Sequence, residues 1–427
     1  MKRLLVISNT AMNKSTANGR TLENLLYGFE PDELAQFYIK ECPDFSFCEN
    51  YYNISDNIAL NSVVKPFFRN NIRGKVLPPS ENTENIKSLT QPSKKIVKSC
   101  KNKYIRSVIW SMRRWWTADF EKFLDEFSPE AVLLYAGDAP FMYDIAMSIA
   151  KKRKIPLYMY NCENYVLKEI MYASAKKYSI WHILLKHRLK SRYSRVMKEV
   201  KYCFYITEYL ENKYQAAYPH PDKSHAIYTA ANMEDYRNEH IEPNNFTLLY
   251  CGNLGIGRPA ALLSLANTLY SVDSTAKLRI FGNFLDKKSE DMLVKCPNVE
   301  FGGRIPYEQV LEETKKCSMV IHCENPERVK NLECGFSTKL ADCLSCGIPM
   351  LVYAIRDYPF VQYLERYNAA HIAENEEELK KVLSECINDK SFRKKFVSNA
   401  RALADENHNL KNNGDFVRSI ICDDNFK

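Results

Sequence analysis

Two segments in the second half of this 427-residue sequence carry residue types suited to holding a polyphosphate. In Gly252-Asn253-Leu254-Gly255-Ile256-Gly257-Arg258, glycines let a ligand approach backbone N–H groups closely. The helix expected to open at Pro259 adds the partial positive charge of its N-terminus, and Arg258 can grip phosphate oxygens through two parallel N–H bonds. The glycine spacing is not that of the dinucleotide fingerprint, and a plain strand-to-helix turn uses the same residues. The second segment is Phe336-Ser337-Thr338-Lys339-Leu340-Ala341-Asp342, running on into Cys343-Leu344-Ser345-Cys346-Gly347-Ile348-Pro349. Ser337 or Thr338 can cap a helix there. Lys339 then falls in the first turn, where the helix dipole disfavours a cation, so a lysine in that place suggests a bound anion. Asp342, one turn on, offers two acceptor oxygens to the adjacent hydroxyls of a ribose. A capped amphipathic helix with a solvated lysine accounts for the same residues. Cys343 and Cys346 form a single CxxC without a second pair nearby, which fits small buried hydrophobes better than a metal or redox site.

The elements that must position these segments alternate. Arg3 to Ser8 reads as a strand, a polar loop containing Asn18-Gly19 follows, and Arg20 to Phe29 reads as a helix. Strand, loop, helix is the first unit of a doubly wound α/β domain, and such domains bind ligands beyond the carboxyl ends of their strands. The loop after the first strand is therefore a site candidate. Residues 43 to 100 show no clear period. Ala131 to Ala136, the turn Gly137-Asp138-Ala139-Pro140, a helix to about Lys152 and Leu157 to Tyr160 make a βαβ unit. After Pro243 the pattern restarts with strands at Phe246–Cys251, Leu278–Phe281, Val299–Phe301, Met319–His322 and Met350–Tyr353. Helices are expected from Pro259, over Tyr307–Lys316 and Lys339–Leu344, and from about Glu376. The sequence thus predicts two α/β domains, 1–243 and 246–390, hinged near residues 240 to 246, with helices over 391–427 that pack on either domain.

Composition is that of a globular protein, 45% hydrophobic and 26% charged. No run approaches the roughly 18 apolar residues that span a bilayer. The opening MKRLLVIS reaches Asn9 before a secretory apolar stretch forms, which predicts a cytosolic location, and the 14 cysteines are expected to be reduced. Charge divides unevenly. Residues 1–245 hold 36 Lys/Arg against 27 Asp/Glu, and residues 246–427 hold 24 against 25, giving +9 and −1. Much of the surplus lies in residues 94–116 and 176–201, which also hold all four tryptophans. Lys and Arg beside Trp and Leu is the composition of helices lying on an anionic membrane surface, and equally of packed helices with solvated faces. No nucleic-acid-binding module accompanies it, so no nucleic-acid partner is expected.

From Phe246 to about Asn388 the chain resembles the nucleotide-sugar-binding domain of family-4 retaining glycosyltransferases, in particular the bacterial capsular and exopolysaccharide branch. The donor helix of that branch reads S-T-K-[IL]-x-[DE]-Y-x-x-x-G-x-P, and this chain has STKLADCLSCGIP. YCGNLGIGR, LRIFGN, NVEFGGRIPYEQV and VIHCENPE fall in the family order. The first half is similar more loosely, through the opening strand and its NGR loop, PEAVLLYAGD and YCFYITEYLENKY.

The resemblance implies the GT-B fold, two Rossmann-like doubly wound domains facing across a cleft, and a hexosyltransferase that uses a nucleotide diphosphate sugar as donor without metal or cofactor. It implies a glycan acceptor, polyprenyl-diphosphate-linked in surface polysaccharide synthesis, and an enzyme at the inner face of the cell membrane. Residue by residue, Arg258 would meet the donor diphosphate, with Gly255 in the same turn and Ser337, Thr338 and Lys339 assisting. Asp342 would hold the ribose, Arg304 and Ile305 would lie beside the base, and Glu324 near the donor sugar. Asn18, Gly19 and Arg20 would contact acceptor, and Asp138 would orient its hydroxyl, a position that also suits a helix-capping Asp. The chain departs from the family at four places. Cys334 and Asp342 occupy the two positions of the usual Glu-x7-Glu pair, leaving Glu333 or Glu324 as the substitute. Leu263 stands where relatives carry a second phosphate-binding lysine, which leaves Lys339 to supply that charge. The histidine expected at the end of the fourth strand is absent from Tyr160–Asn164, which shifts the sugar contact to Asn161 or Glu163. A nucleotide- or glycan-binding subunit without turnover, or a sugar-nucleotide epimerase, is the alternative these departures keep open.

Overall fold

The computed structural model describes residues 2–13, 16–78, 99–170, 179–220, 223–236, 240–255, 257–324 and 335–423. Glu333 and Cys334 lie outside the described residues, as do the ends of both basic segments, 94–98 and 176–178. The chain forms two compact units, one made of Met1–Tyr228 and Lys411–Lys427, the other of Thr229–Leu410.

The first unit is built on an eight-stranded sheet. Its strands are β1 (Leu4–Ile7), β2 (Leu34–Tyr38), β3 (Asn50–Asn53), β4 (Lys75–Val76), β5 (Ala131–Ala136), β6 (Leu157–Asn161), β7 (Tyr202–Tyr205) and β8 (Ser224–Ala226). They are ordered β4-β3-β2-β1-β5-β6-β7-β8 and are parallel except for the short antiparallel edge strand β4. Every residue of β1 and β5 is buried. A parallel sheet with both faces covered selects such unbroken Leu/Val/Ile runs rather than alternation.

The second unit has a six-stranded parallel sheet of β9 (Thr247–Cys251), β10 (Lys277–Phe281), β11 (Val299–Gly303), β12 (Met319–Cys323), β13 (Met350–Tyr353) and β14 (His371–Ala373). The order is β11-β10-β9-β12-β13-β14, the doubly wound order whose direction reverses between the first strand and the fourth. Helix Arg258–Val272 lays Ala261, Leu262, Leu265 and Leu269 into the core of this sheet.

The units divide elsewhere than at the expected hinge near 240–246. Residues 229–236 belong to the second unit because Ala231 bridges to Asn409, the His408 ring bonds the Thr229 carbonyl, and the Tyr236 hydroxyl donates to Asp342. The C-terminal helices are shared. Those up to Leu410 stay with the second unit, and from Lys411 helix Leu410–Cys422 is part of the first. There Arg418 pairs with the buried Glu33 and donates to the Gly28 carbonyl. Gly28 and Gly414 let the backbones meet, since a Cβ on Gly414 would stand 2.8 Å from the Gly28 nitrogen.

The two basic segments do form helices, Cys100–Ser111 and Ile180–Met197, and two of the tryptophans of the first segment belong to the core, whereas Trp116 and Trp181 are half-buried. Trp110 and Trp115 are 1% and 0% exposed. Trp110 stacks on Phe141 at 4.7 Å and Trp115 lies 5.3 Å from Phe37. Several cations are likewise engaged within the unit. Arg106 and the Trp110 indole N–H both donate to Asp56, Arg188 to Ser107, and Arg192 to Asp144.

Candidate functional site

In the second unit the two phosphate-suited segments, some 80 residues apart in the chain, meet beyond the carboxyl end of β9. Thr338–Ser345 is a helix with Ser337 at its N-cap, and no side chain caps it. Helix geometry leaves the first N–H groups, those of Thr338 and Lys339, without carbonyl partners in their own helix, while the Leu340 N–H donates to the Ser337 carbonyl. Lys339 extends from that first turn back over the sheet. Its Nζ donates to the Tyr250 hydroxyl at 2.9 Å and lies 4.0 Å from the ring centroid. Gly252 makes room for it, because a Cβ there would be 2.9 Å from Nζ. Burial, reinforced by repulsion from Arg258, draws the Lys339 ammonium down to about 8. A half-buried cation kept charged at neutral pH only narrowly is a group that gains from a bound anion.

The glycine-containing loop is fixed from below. The Tyr250 hydroxyl donates to the Asn253 carbonyl, and the Asn253 side-chain oxygen accepts the Gly255 N–H. Gly257 stands at φ 77° as the N-cap of helix Arg258–Val272, so the helix opens one residue before Pro259. The left-handed region suits glycine best.

Arg258 is not presented as a solvated phosphate ligand. It is 9% exposed and grips Glu324 with Nε at 3.0 Å and Nη2 at 2.7 Å, while Nη1 reaches the Asn253 carbonyl at 3.4 Å. Three of its five N–H donors are thereby engaged. Glu324, 4% exposed, follows β12 and also contacts His322 Nε2 at 3.2 Å. Burial favours the neutral carboxyl, but the hydrogen bond from His322 and the hydrogen bonds and charge of Arg258 outweigh it and keep Glu324 ionised. Burial also pulls His322 down to about 4. Its Nδ1 is buried without a hydrogen-bond partner.

Asp342 is engaged on its Oδ1 by the hydroxyls of Tyr307 at 2.8 Å and Tyr236 at 3.0 Å. Tyr307 follows the segment that holds exposed Arg304 and half-buried Ile305, which brings that segment to the donor helix. Neither tyrosine, nor Tyr250 or His322, was singled out from the sequence. The four are joined to the motifs only by contacts distant in the chain, and no local spacing announces them. In the CxxC, burial raises the Cys343 thiol well above its ordinary value and lifts Cys346 to about 12.

The remaining candidates lie in the first unit. Asn18, Gly19 and Arg20 are not in a loop but in the first turns of helix Ala17–Leu25, whose N-cap Thr16 accepts the Gly19 N–H. Only glycine fits at 19, where a Cβ would be 2.1 Å from the Asn13 carbonyl oxygen. Asp138 does not sit at the N-cap of the following helix, Pro140–Arg153; Ala139 does. The Asp138 carboxylate is instead 2.6 Å from Lys103 Nζ. Glu163 pairs with Lys168 at 2.9 Å.

Two tandem units of this topology define the GT-B class of α/β fold, the architecture of many glycosyltransferases. Residues 258–418, the stretch that carries Arg258, Glu324 and the donor-type helix, match a family model described as glycosyl transferase-like. Three solved structures share the fold at low identity. HepE of Anabaena, solved with UDP and glucose, aligns over 98% of this chain and 99% of its own with a TM-score of 0.63 and 11% identity. The sucrose-phosphate synthase of Thermosynechococcus elongatus aligns over 98% of both chains at 0.61 and 11%. WaaG, a glycosyltransferase involved in lipopolysaccharide biosynthesis, aligns over 98% and 99% at 0.56 and 15%. No curated protein matches the sequence.

Proposed function

We propose that this chain is a retaining glycosyltransferase that moves a hexosyl group from a nucleoside diphosphate to a glycan acceptor, lipid-linked, in the synthesis of a surface polysaccharide. The observation that carries the reading is the seat of Lys339: a half-buried ammonium between Tyr250 and Gly252, at the first turn of an uncapped helix. The glycosyl transferase-like match over residues 258–418 supports it. HepE is solved with UDP and with UDP-glucose, which makes UDP-sugars the donors to try first.

In this reading Lys339 and the N–H groups after Ser337 and Thr338 meet the diphosphate, and Gly255 allows its approach. Asp342, steadied by Tyr236 and Tyr307, accepts from the ribose, and Arg304 and Ile305 lie toward the base. Arg258 holds Glu324 toward the donor sugar and offers its remaining N–H groups to phosphate. The bond from the anomeric carbon to the diphosphate oxygen breaks, and the charge that develops is met by preorganised protein donors. The acceptor oxygen bonds to the face just vacated, and its proton passes to the departing diphosphate. Asp138 and Glu163, with Asn18 to Arg20, serve the acceptor. The enzyme works in the cytoplasm at an anionic membrane surface. No helix among the described residues is long and apolar enough to cross a membrane. Ile180, Ile183 and Ile105, exposed at 65%, 53% and 42% on the two basic helices, are the groups to enter such a surface. Cosedimentation with phosphatidylglycerol vesicles should be reduced by Ile180→Glu/Ile183→Glu; undiminished binding counts against this face.

The test is turnover. Release of nucleoside diphosphate from a UDP-sugar in the presence of a lipid-linked oligosaccharide is expected, and Lys339→Ala should abolish it. Nucleotide binding without turnover of any donor would make the chain a binding subunit. Product formed without acceptor would make it an epimerase.

A further inference from the structure

Strand β12 buries a histidine for which its packing gives no reason. Met319, Ile321 and Cys323 of this strand enter the core with helix Arg258–Val272. Successive side chains of a strand alternate in direction, so His322 turns away from that core and shares its side with Glu324. His322 Nε2 stands 3.2 Å from Glu324 Oε1. Facing an ionised carboxylate, Nε2 carries the ring proton, and Nδ1 is left as a buried lone pair without a partner. The ring packs against Phe360, nearly perpendicular to it at 5.1 Å. A phenylalanine would fill that place without burying an unpaired acceptor, which always costs stability. What the imidazole supplies and a phenyl ring does not is the one hydrogen bond to Glu324.

Glu324 already has a counter-ion. Arg258 grips it along one edge, Nε to Oε2 and Nη2 to Oε1, and a grip along a single edge lets two planar groups roll about the line that joins them. His322 adds a third bond, at Oε1, from the strand rather than the helix, and stops that roll. It does so without adding charge, because burial brings the imidazole down to about 4. The charged groups that face it are Glu324, Arg258 and Lys339. The first two cancel, and the Lys339 ammonium remains as the net cation for an anionic ligand. Arg258 keeps two N–H groups committed neither to Glu324 nor to the Asn253 carbonyl. Their direction is set by whatever sets the carboxylate.

We propose that His322 is a positioning residue of the donor site: its N–H fixes the plane of the Glu324 carboxylate, and through it the direction in which Arg258 presents its two uncommitted N–H groups to a diphosphate. The inference rests on the nucleotide-sugar reading of this site and adds to it a residue that itself touches no ligand.

Calorimetric titration of UDP into chains altered at position 322 tests it. His322→Phe keeps a ring against Phe360 and removes the N–H, and should weaken UDP about threefold or more, a coupling usual within one hydrogen-bonded network. His322→Gln, whose amide can donate from nearly the place of Nε2, should restore most of the affinity. Because the effect passes through the ion pair, His322→Phe should change nothing further in the Arg258→Ala/Glu324→Ala chain. Full affinity in His322→Phe, no rescue by His322→Gln, or an equal loss with and without the ion pair would each overturn the proposal. Melting temperatures of the same chains separate positioning from packing: affinity that falls only in step with melting temperature would make His322 a packing residue and overturn it as well. Absence of UDP binding in the unaltered chain would instead count against the donor reading.

Discussion

Lys339 carries a charge that folding makes costly, and this gives it two pH signatures of opposite sign. Its ammonium titrates at about 8 in the folded chain, against about 10.4 for an unfolded lysine. Nucleotide affinity should therefore fall as pH rises above about 8, where the cation is lost, and Lys339→Met should remove that dependence in a calorimetric titration. Stability moves the other way. Between the folded and unfolded values the unfolded chain binds a proton that the folded chain does not, so the contribution of this group to stability rises with pH across that window. Urea midpoints at pH 8 and pH 10 should show a gain for the unaltered chain relative to Lys339→Met. Arg258 behaves differently because its partner is buried. Arg258→Ala strands the 4% exposed Glu324 carboxylate, and breaking such a pair costs about 3–5 kcal/mol. Chemical denaturation should show that loss, whereas Arg258→Ala/Glu324→Ala should recover part of it.

At the scale of elements, the loops depend on close backbone approaches. Gly282 follows β10, and a Cβ there would be 2.0 Å from the Gly252 carbonyl oxygen. Gly282→Ala must push the Gly252 loop away from its place beside Lys339. It should lower stability by about 1–3 kcal/mol and weaken UDP binding, read by denaturation and by titration of the same variant. The strands and the donor helix were legible because apolar runs end at glycines and small polar residues: Met350–Tyr353 was placed at its observed bounds, and helix 338–345 within one residue at either end. What the sequence concealed was partnership. The same Arg258 that reads as a bidentate phosphate ligand is bonded to Glu324, 66 residues away. Asp342 is bonded to tyrosines from two other segments. Trp110 and Trp115 share a segment with many cations, and only the packing of Phe37 and Phe141 shows that they belong to the core.

Across the whole molecule, both α/β units were visible in the restart of the strand pattern after Pro243. Their boundaries were not, because the segments 229–236 and 411–423 join their units through contacts distant in sequence. The second unit also buries histidines that resist charging. Burial brings His322 and His408 each to about 4, while an unfolded histidine titrates near 6.5. As pH falls from about 6.5 towards 4 the unfolded chain gains protons that the folded chain refuses, so stability present at neutral pH is lost at up to about 1.4 kcal/mol per pH unit for each histidine. Thermal melts followed by circular dichroism from pH 7 to 4.5 should steepen accordingly, and His408→Gln should flatten the profile. The central claim is that the Lys339 seat holds the diphosphate of a nucleotide, and calorimetric titration of UDP into the unaltered chain and Lys339→Ala at pH 7 tests it most directly. The account predicts saturable binding weakened about tenfold or more by the substitution. Equal affinity in the two chains, or no binding in either, would contradict it.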